Sequence, residues 1–149
     1  MKIEILLPIL FFIGLFSLVY FVMRTVIYEM GGWKSLENQY KTGKQPSNFS
    51  AKNLKIRSIS IEAMGYNNVI KLYKTSEGLL LKHGWFLKKS KYNILIPWSE
   101  IIEVRKRKIF FFTTIRLIIG QPFVTFIDLG KKDFEKIKGN IQIKSNLEL

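Results

Sequence analysis

The chain reads as a mainly β protein with an apolar helix in front and a short helix behind. Three observations predict this. Residues 5–23 form a nineteen-residue run without a charge. Beyond residue 50, short β-branched and aromatic runs alternate apolar with polar side chains. Gly, Asn and Pro, the residues turns need, separate those runs. A length of 149 residues leaves room for one compact domain and one appended segment. With 48% hydrophobic and 14% aromatic residues, four prolines and ten glycines, the chain is neither disordered nor collagen-like.

Fourteen of the nineteen residues in the apolar run are Leu, Ile, Phe or Val. As a helix the run measures about 28 Å, close to the roughly 30 Å thickness of bilayer hydrocarbon. Pro8 falls in the first two turns, where a missing amide donor costs least. A cleaved secretory signal competes with this reading, but the run exceeds the usual apolar core of such signals. No A-x-A-like site follows it either, the first alanine being Ala51. A transmembrane anchor over residues 1–24 is therefore expected. Lys2 precedes the run, while Arg24, Lys34, Lys41 and Lys44 follow it, which predicts a single-pass membrane protein with its C-terminal domain on the cytoplasmic side.

Residues 25–50 make a juxtamembrane amphipathic segment and linker. Val26, Ile27, Met30, Trp33, Leu36 and Tyr40 recur at helical spacing, with Gly31-Gly32 as a hinge. Two readings stand side by side. In one the segment lies on the membrane, with Arg24, Trp33, Lys34 and Tyr40 as interfacial anchors at the headgroups. In the other the same stripe packs onto the domain that follows. KTGKQPSNFS, residues 41–50, has linker composition.

Residues 51–149 hold the β-domain. Leu54 and Ile56, then Ile59 and Ile61, alternate with polar neighbours across a phase slip at Ser58 that a bulge explains. Asn67-Asn68 predicts a turn, residues 69–74 a strand, Glu77-Gly78 a turn and residues 79–82 a strand. His83-Gly84 marks a turn or bulge before residues 85–88, and residues 94–98 continue the series. Ile102 and Val104 begin a further strand. Runs at 110–113, 115–119 and 123–128 follow, the last two divided by Gly120-Gln121-Pro122. Residues 131–138 place Phe134 and Ile137 on one helical face, and Gly139 is positioned to end that helix. Seven or so strands and a late helix predict an all-β barrel or sandwich with a terminal helix.

Thr75-Ser76-Glu77-Gly78-Leu79 and Ile96-Pro97-Trp98-Ser99-Glu100-Ile101 resemble the "EGL" strand start and "IPW-x-x-I" segment of bacterial pleckstrin-homology-like (PH-like) and GRAM-like domains. The resemblance covers residues 53–140. It implies a bent antiparallel barrel capped by the C-terminal helix. Members of that superfamily include lipid binders and protein-interaction modules. The Lys and basic-x-Arg arrangement of the phosphoinositide binders does not occur in the first predicted hairpin, where Arg57, Lys71 and Lys74 stand instead, so no family binding residues carry over.

Charge and chemistry bound the function. The net charge is +13, from 24 Lys and Arg against 11 Asp and Glu, and all of the excess lies beyond the apolar run. Such a body favours anionic partners. The absence of cysteine excludes disulfides, thiolate metal sites and Cys nucleophiles, and the single histidine, His83, excludes multi-His sites. No P-loop, G-x-S-x-G, H-E-x-x-H or dinucleotide fingerprint occurs, and neither an enzyme nor a cofactor is expected. His83 reads as a turn or core-edge residue. Two basic clusters are the candidate contacts with an anionic surface: Lys82, Lys88, Lys89 and Lys91 around Trp85 and Phe86, and the tetrad Arg105, Lys106, Arg107 and Lys108 before Phe110, Phe111 and Phe112. The tetrad is expected between strands. Nucleic acid is set aside, because no helix-turn-helix, zinc-finger or RNP-like pattern accompanies these clusters. The expected function is a membrane-anchored, non-catalytic PH-like binding or scaffolding module, with anionic lipid headgroups or a membrane protein as partner. The alternative is a structural accessory subunit of a larger membrane complex.

Overall fold

The apolar run is helical throughout. The structure, a computed structural model, describes residues 3–56, 58–62, 64–84, 92–109 and 111–141. Helix α1 (Ile3–Met30) passes through Pro8 without a break. Within it, Leu6–Met30 is long and apolar enough to cross a membrane. Among the described residues no protein face covers its part up to Met23, where Leu7, Phe12, Ile13 and Phe21, spread around the axis, are 72%, 56%, 57% and 67% exposed, whereas Ile27 and Tyr28 near its end pack against the β-core.

The β-branched and leucine-rich runs beyond residue 50 form two five-stranded antiparallel sheets. The first has the order β1 (Lys41–Thr42), β7 (Asn93–Pro97), β6 (Gly78–His83), β5 (Ile70–Lys74), β2 (Lys52–Asn53). The second has the order β4 (Met64–Asn67), β3 (Ser58–Ile61), β10 (Thr125–Gly130), β9 (Phe112–Ile119), β8 (Ile101–Ile109). Alternate residues point inward, as the two-residue period requires. Ile70 and Leu72, Leu79 and Leu81, Ile94 and Ile96 meet Ile59 and Ile61, Ile115, Leu117 and Ile119, and Ile127 and Leu129 in one core.

Several expectations change here. The two sheets share no strand pairing among the described residues, so the expected barrel does not close. The slip at Ser58 is a change of sheet rather than a bulge: the chain leaves β2 in one sheet and enters β3 in the other, turning at Lys55 with φ 48°. A second change of sheet, at Asn68 with φ 56°, separates β4 from β5, and β4 carried no clear signal because Gly65 and Asn67 interrupt its pattern. Residues 112–119 form one strand instead of two. The late helix is a single turn, α3 (Lys131–Phe134), followed by a 3-10 turn at Lys138–Asn140 that contains Gly139. Phe134 and Ile137 are nonetheless fully buried, as their spacing predicts.

The choice between the two juxtamembrane readings is settled by packing. Helix α2 (Trp33–Tyr40) lies across one end of both sheets. Gly32, with φ 70°, sits against Ile61 and Glu62 of the second sheet. Trp33 is fully buried and meets the His83 ring of the first sheet edge-on at 6.0 Å. Tyr40 donates a hydrogen bond to Glu100 Oε2 at 2.9 Å. Tyr66 Oη fastens the end of α1 by donating to the Gly31 carbonyl at 2.8 Å and lying 3.3 Å from that of Ile27. A Cβ at Gly31 would stand 2.0 Å from that hydroxyl, so the close approach requires glycine. The residues read as linker also join the fold. β1 pairs with β7, and Asn93 Nδ2 donates to the Lys44 carbonyl at 2.9 Å. The packed unit therefore begins at the Gly31-Gly32 hinge, twenty residues before the expected boundary at 51.

Burial lifts the Tyr40 and Tyr66 phenols above their ordinary range, assisted by the hydrogen bond to Glu100 at Tyr40 and by the Glu62 charge at Tyr66. Two outcomes follow for the full chain unfolded by urea in mild detergent. Trp33→Ala costs about 3–5 kcal/mol. Trp33→Phe costs no more than about 2 kcal/mol, since Trp33 Nε1 has no hydrogen-bond partner to lose among the described residues. In a pH series, stability holds up to about pH 10, where unfolded phenols ionise. It then falls as pH rises toward the raised folded values, because the unfolded chain releases protons that the folded one retains. Tyr66→Phe shallows that alkaline decline.

Candidate functional site

The sequence tetrad sits inside a strand rather than between strands. β8 continues to Ile109 and pairs with β9 along its whole length, with one register irregularity between Ile101 and Glu103. Alternation then divides the four basic residues between the two faces of a long hairpin. Arg105 and Arg107 lie opposite Arg116 and Thr114, while Lys106 and Lys108 lie opposite Ile115 and Thr113. All four are exposed. At the turn, Phe111 is 94% exposed, and Phe112 beside it is 75% exposed.

The outward face of the second sheet explains which of these charges are available. Arg105 and Arg116 stand directly opposite each other, an unfavourable placement for like charges. Each has its own carboxylate. Glu103 accepts from Arg105 Nε at 2.6 Å and from Nη2 at 2.8 Å, and this hydrogen bond holds the Glu103 carboxyl below its usual range. Arg116 donates to both Asp128 oxygens at 2.7 Å, and its guanidinium carbon lies 3.4 Å from the Phe126 ring centroid. Lys106, Arg107 and Lys108 have no carboxylate partner among the described residues. The arrangement is thus a hairpin with uncompensated cations on both faces, Arg107 on one and Lys106 and Lys108 on the other, leading to two exposed phenylalanines. It can adsorb to a negative surface and insert apolar rings into it.

The remaining candidates distribute differently. Lys82 is half-buried on β6 of the other sheet, its Nζ 3.4 Å from Gln45 Oε1, so it does not join the tetrad in one sheet. Lys88, Lys89 and Lys91, with Trp85, Phe86 and Phe110, lie outside the described residues. Among the expected interfacial anchors, Trp33 and Tyr40 are corrected outright: both are buried against the β-sheets and present no face to headgroups. Lys34 is exposed and ion-paired with Glu29, and Arg24 is half-buried. His83 occupies the core edge under Trp33, as its position in the sequence suggests. No group of three or more His, Cys, Asp or Glu able to hold a metal occurs among the described residues.

The two motifs that carried the family resemblance meet in space. Trp98 Nε1 donates to the Thr75 carbonyl at 3.1 Å, and Thr75 Oγ1 closes the turn by bonding the backbone of Gly78. A Cβ at Gly78 would stand 2.1 Å from the Ile96 carbonyl oxygen, so the glycine permits β6 and β7 to approach. Their role here is to lock a turn onto a strand. Comparisons of the chain with protein-family models, curated proteins and solved structures find no match.

The ion pairs differ in what their loss costs. Asp128→Asn strands the mostly buried Arg116 and lowers the stability of the full chain by about 3 kcal/mol, the lower end of what breaking a buried pair costs. Glu103→Gln acts on an exposed pair and changes stability by less than about 0.5 kcal/mol in the same urea unfolding measurement.

Proposed function

We propose that the chain is a single-pass, membrane-anchored and non-catalytic module whose PH-like β-unit presents the β8–β9 hairpin to anionic lipid headgroups on the cytoplasmic side. The observation that carries this reading is the hairpin turn: Phe111 and Phe112 exposed beside three uncompensated cations. Two further features support it. Helix α1 exposes apolar side chains on every side, which suits lipid and not water. The changes of sheet at Lys55 and Asn68, with a terminal helix buried through Phe134, suit the bent sheet that the resemblance implies.

Magnitudes are adequate without a dedicated binding pocket. Each Lys or Arg near an anionic leaflet contributes about 1 kcal/mol, and transfer of one exposed phenylalanine side chain about 1.5–3 kcal/mol. The anchor supplies a high local concentration, so contacts of this size orient the domain without having to recruit it. Geometry adds a condition. α1 enters near Ile61 and Glu62, whereas Phe112 begins β9 at the end of the second sheet away from Gly120, about 23 Å along the strand from Ile119. Contact with the same bilayer requires that sheet to lie along the membrane, with either Arg107 or Lys106 and Lys108 on the lipid side.

The chain has no cysteine, so Phe111→Cys takes a single environment-sensitive fluorophore. In full-length protein reconstituted into vesicles, emission shifts to the blue with anionic lipid, and high salt or Ala substitution of Lys106, Arg107 and Lys108 reverses the shift. Indifference to lipid charge contradicts the proposal. Shielding seen only with other native membrane proteins present favours the accessory-subunit reading instead.

A further inference from the structure

A second basic feature lies away from the hairpin and was invisible as a sequence cluster. Lys52, Lys55, Lys74 and Lys136, with Asn53 and Ser76, line an open cavity of about 700 Å³. These residues come from β2, the turn after it, the end of β5 and the chain following α3. Among the described residues, the lining contains no carboxylate, no arginine and no aromatic side chain.

Four observations give the cavity a chemical character. Lys52 and Lys74 are directly opposite in the β2–β5 pairing, an arrangement that costs stability when nothing lies between the charges. Lys55 adopts φ 48°, which a residue other than glycine or asparagine rarely does, and Asn53 Oδ1 holds that turn by accepting from the Lys55 amide at 2.9 Å. Lys136 Nζ donates to the Leu54 carbonyl at 3.0 Å and to Asp133 at 2.6 Å, so it is fixed at the rim. Lys52, Lys55 and Lys74 have no carboxylate partner among the described residues. The fold thus places three lysines without carboxylate partners, Lys52, Lys55 and Lys74, around a space of small-molecule size.

We infer that this cavity is a binding site for a soluble small molecule carrying several phosphate groups. Lysines act on phosphate oxygens as point charges, and three of them match a multivalent anion better than a single carboxylate. A single phosphate would leave most of the volume empty, and the lack of an aromatic wall among the described residues argues against recognition through a stacked base. The lining favours a soluble source over a lipid. Unlike the hairpin with Phe111 and Phe112, the cavity has no exposed large apolar side chain among its described residues to enter a bilayer. The site is independent of the hairpin's contact with lipid.

The test uses the full chain in uncharged detergent, titrated calorimetrically with tripolyphosphate and with inorganic phosphate. Tripolyphosphate binds in a salt-sensitive way, and inorganic phosphate binds at least about tenfold more weakly. Lys52→Gln with Lys74→Gln weakens tripolyphosphate binding at least about tenfold and raises the thermal midpoint without ligand, because the opposed charges are gone. Arg107→Ala with Lys108→Ala leaves the binding unchanged. Loss of binding in the hairpin variant as well, or no binding at all, overturns the proposal. Self-association of the Lys52/Lys74 variant without any change in binding also overturns it, assigning these lysines to protection of an edge strand. Lys52- and Lys74-dependent capture on phosphatidic acid vesicles without tripolyphosphate binding overturns the soluble source.

Discussion

Burial of Trp33 across the end of the two sheets is the contact on which the rest of the architecture depends. The sheets do not pair with one another among the described residues, so nothing in their hydrogen bonding closes the end that holds Ile61, His83 and Gly120. α2 closes it with Trp33, Leu36 and Tyr40. A tryptophan and a tyrosine each remove on the order of 150–250 Å² from water, and this burial outweighs the modest helix propensity of an eight-residue segment. The Gly31-Gly32 hinge makes the placement possible, because only residues without a Cβ let α1 end this close to Tyr66.

This closure changes what the long apolar helix α1 means for the domain. A flexible linker would let the β-unit sample many orientations. A helix locked to Tyr66 at its last turn restricts them. The hairpin and the lysine-lined cavity are then held at defined places relative to the end of α1. Charge is distributed to match. Glu37, Glu62 and Glu100 are engaged by tyrosine or threonine hydroxyls around α2, while uncompensated cations gather along β8 and around β2 and β5. Both candidate contact surfaces thus lie away from the sealed end.

Much of the fold was legible from residue order because the signals were local. An uncharged run of nineteen residues states its own helix, and the isoleucine- and leucine-rich strands state their period. The sequence left two juxtamembrane readings open for a physical reason: a Trp, Leu and Tyr stripe has the same amphipathic signature whether lipid or protein covers it. Only contact with Ile61, His83 and Glu100 decides the matter. Ser58 misled because a sheet change and a bulge both shift the two-residue phase. The tetrad misled in the opposite direction: four adjacent charges read as a loop, yet β9 supplies partners that keep them extended. The lysine cavity could not be found in the sequence at all, since Lys52 and Lys136 are brought together only by the β2–β5 pairing and the return of the chain after α3.

The account rests on α2 being part of the β-unit in the membrane as well as in isolation. A pair of spin labels at Gln39 on α2 and Asn67 on β4, both exposed positions in a cysteine-free chain, reads this directly. The expected result is one narrow distance distribution, unchanged between detergent and anionic bilayers. A broad distribution, or one that shifts when lipid is added, would mean that α2 leaves the sheets for the membrane surface.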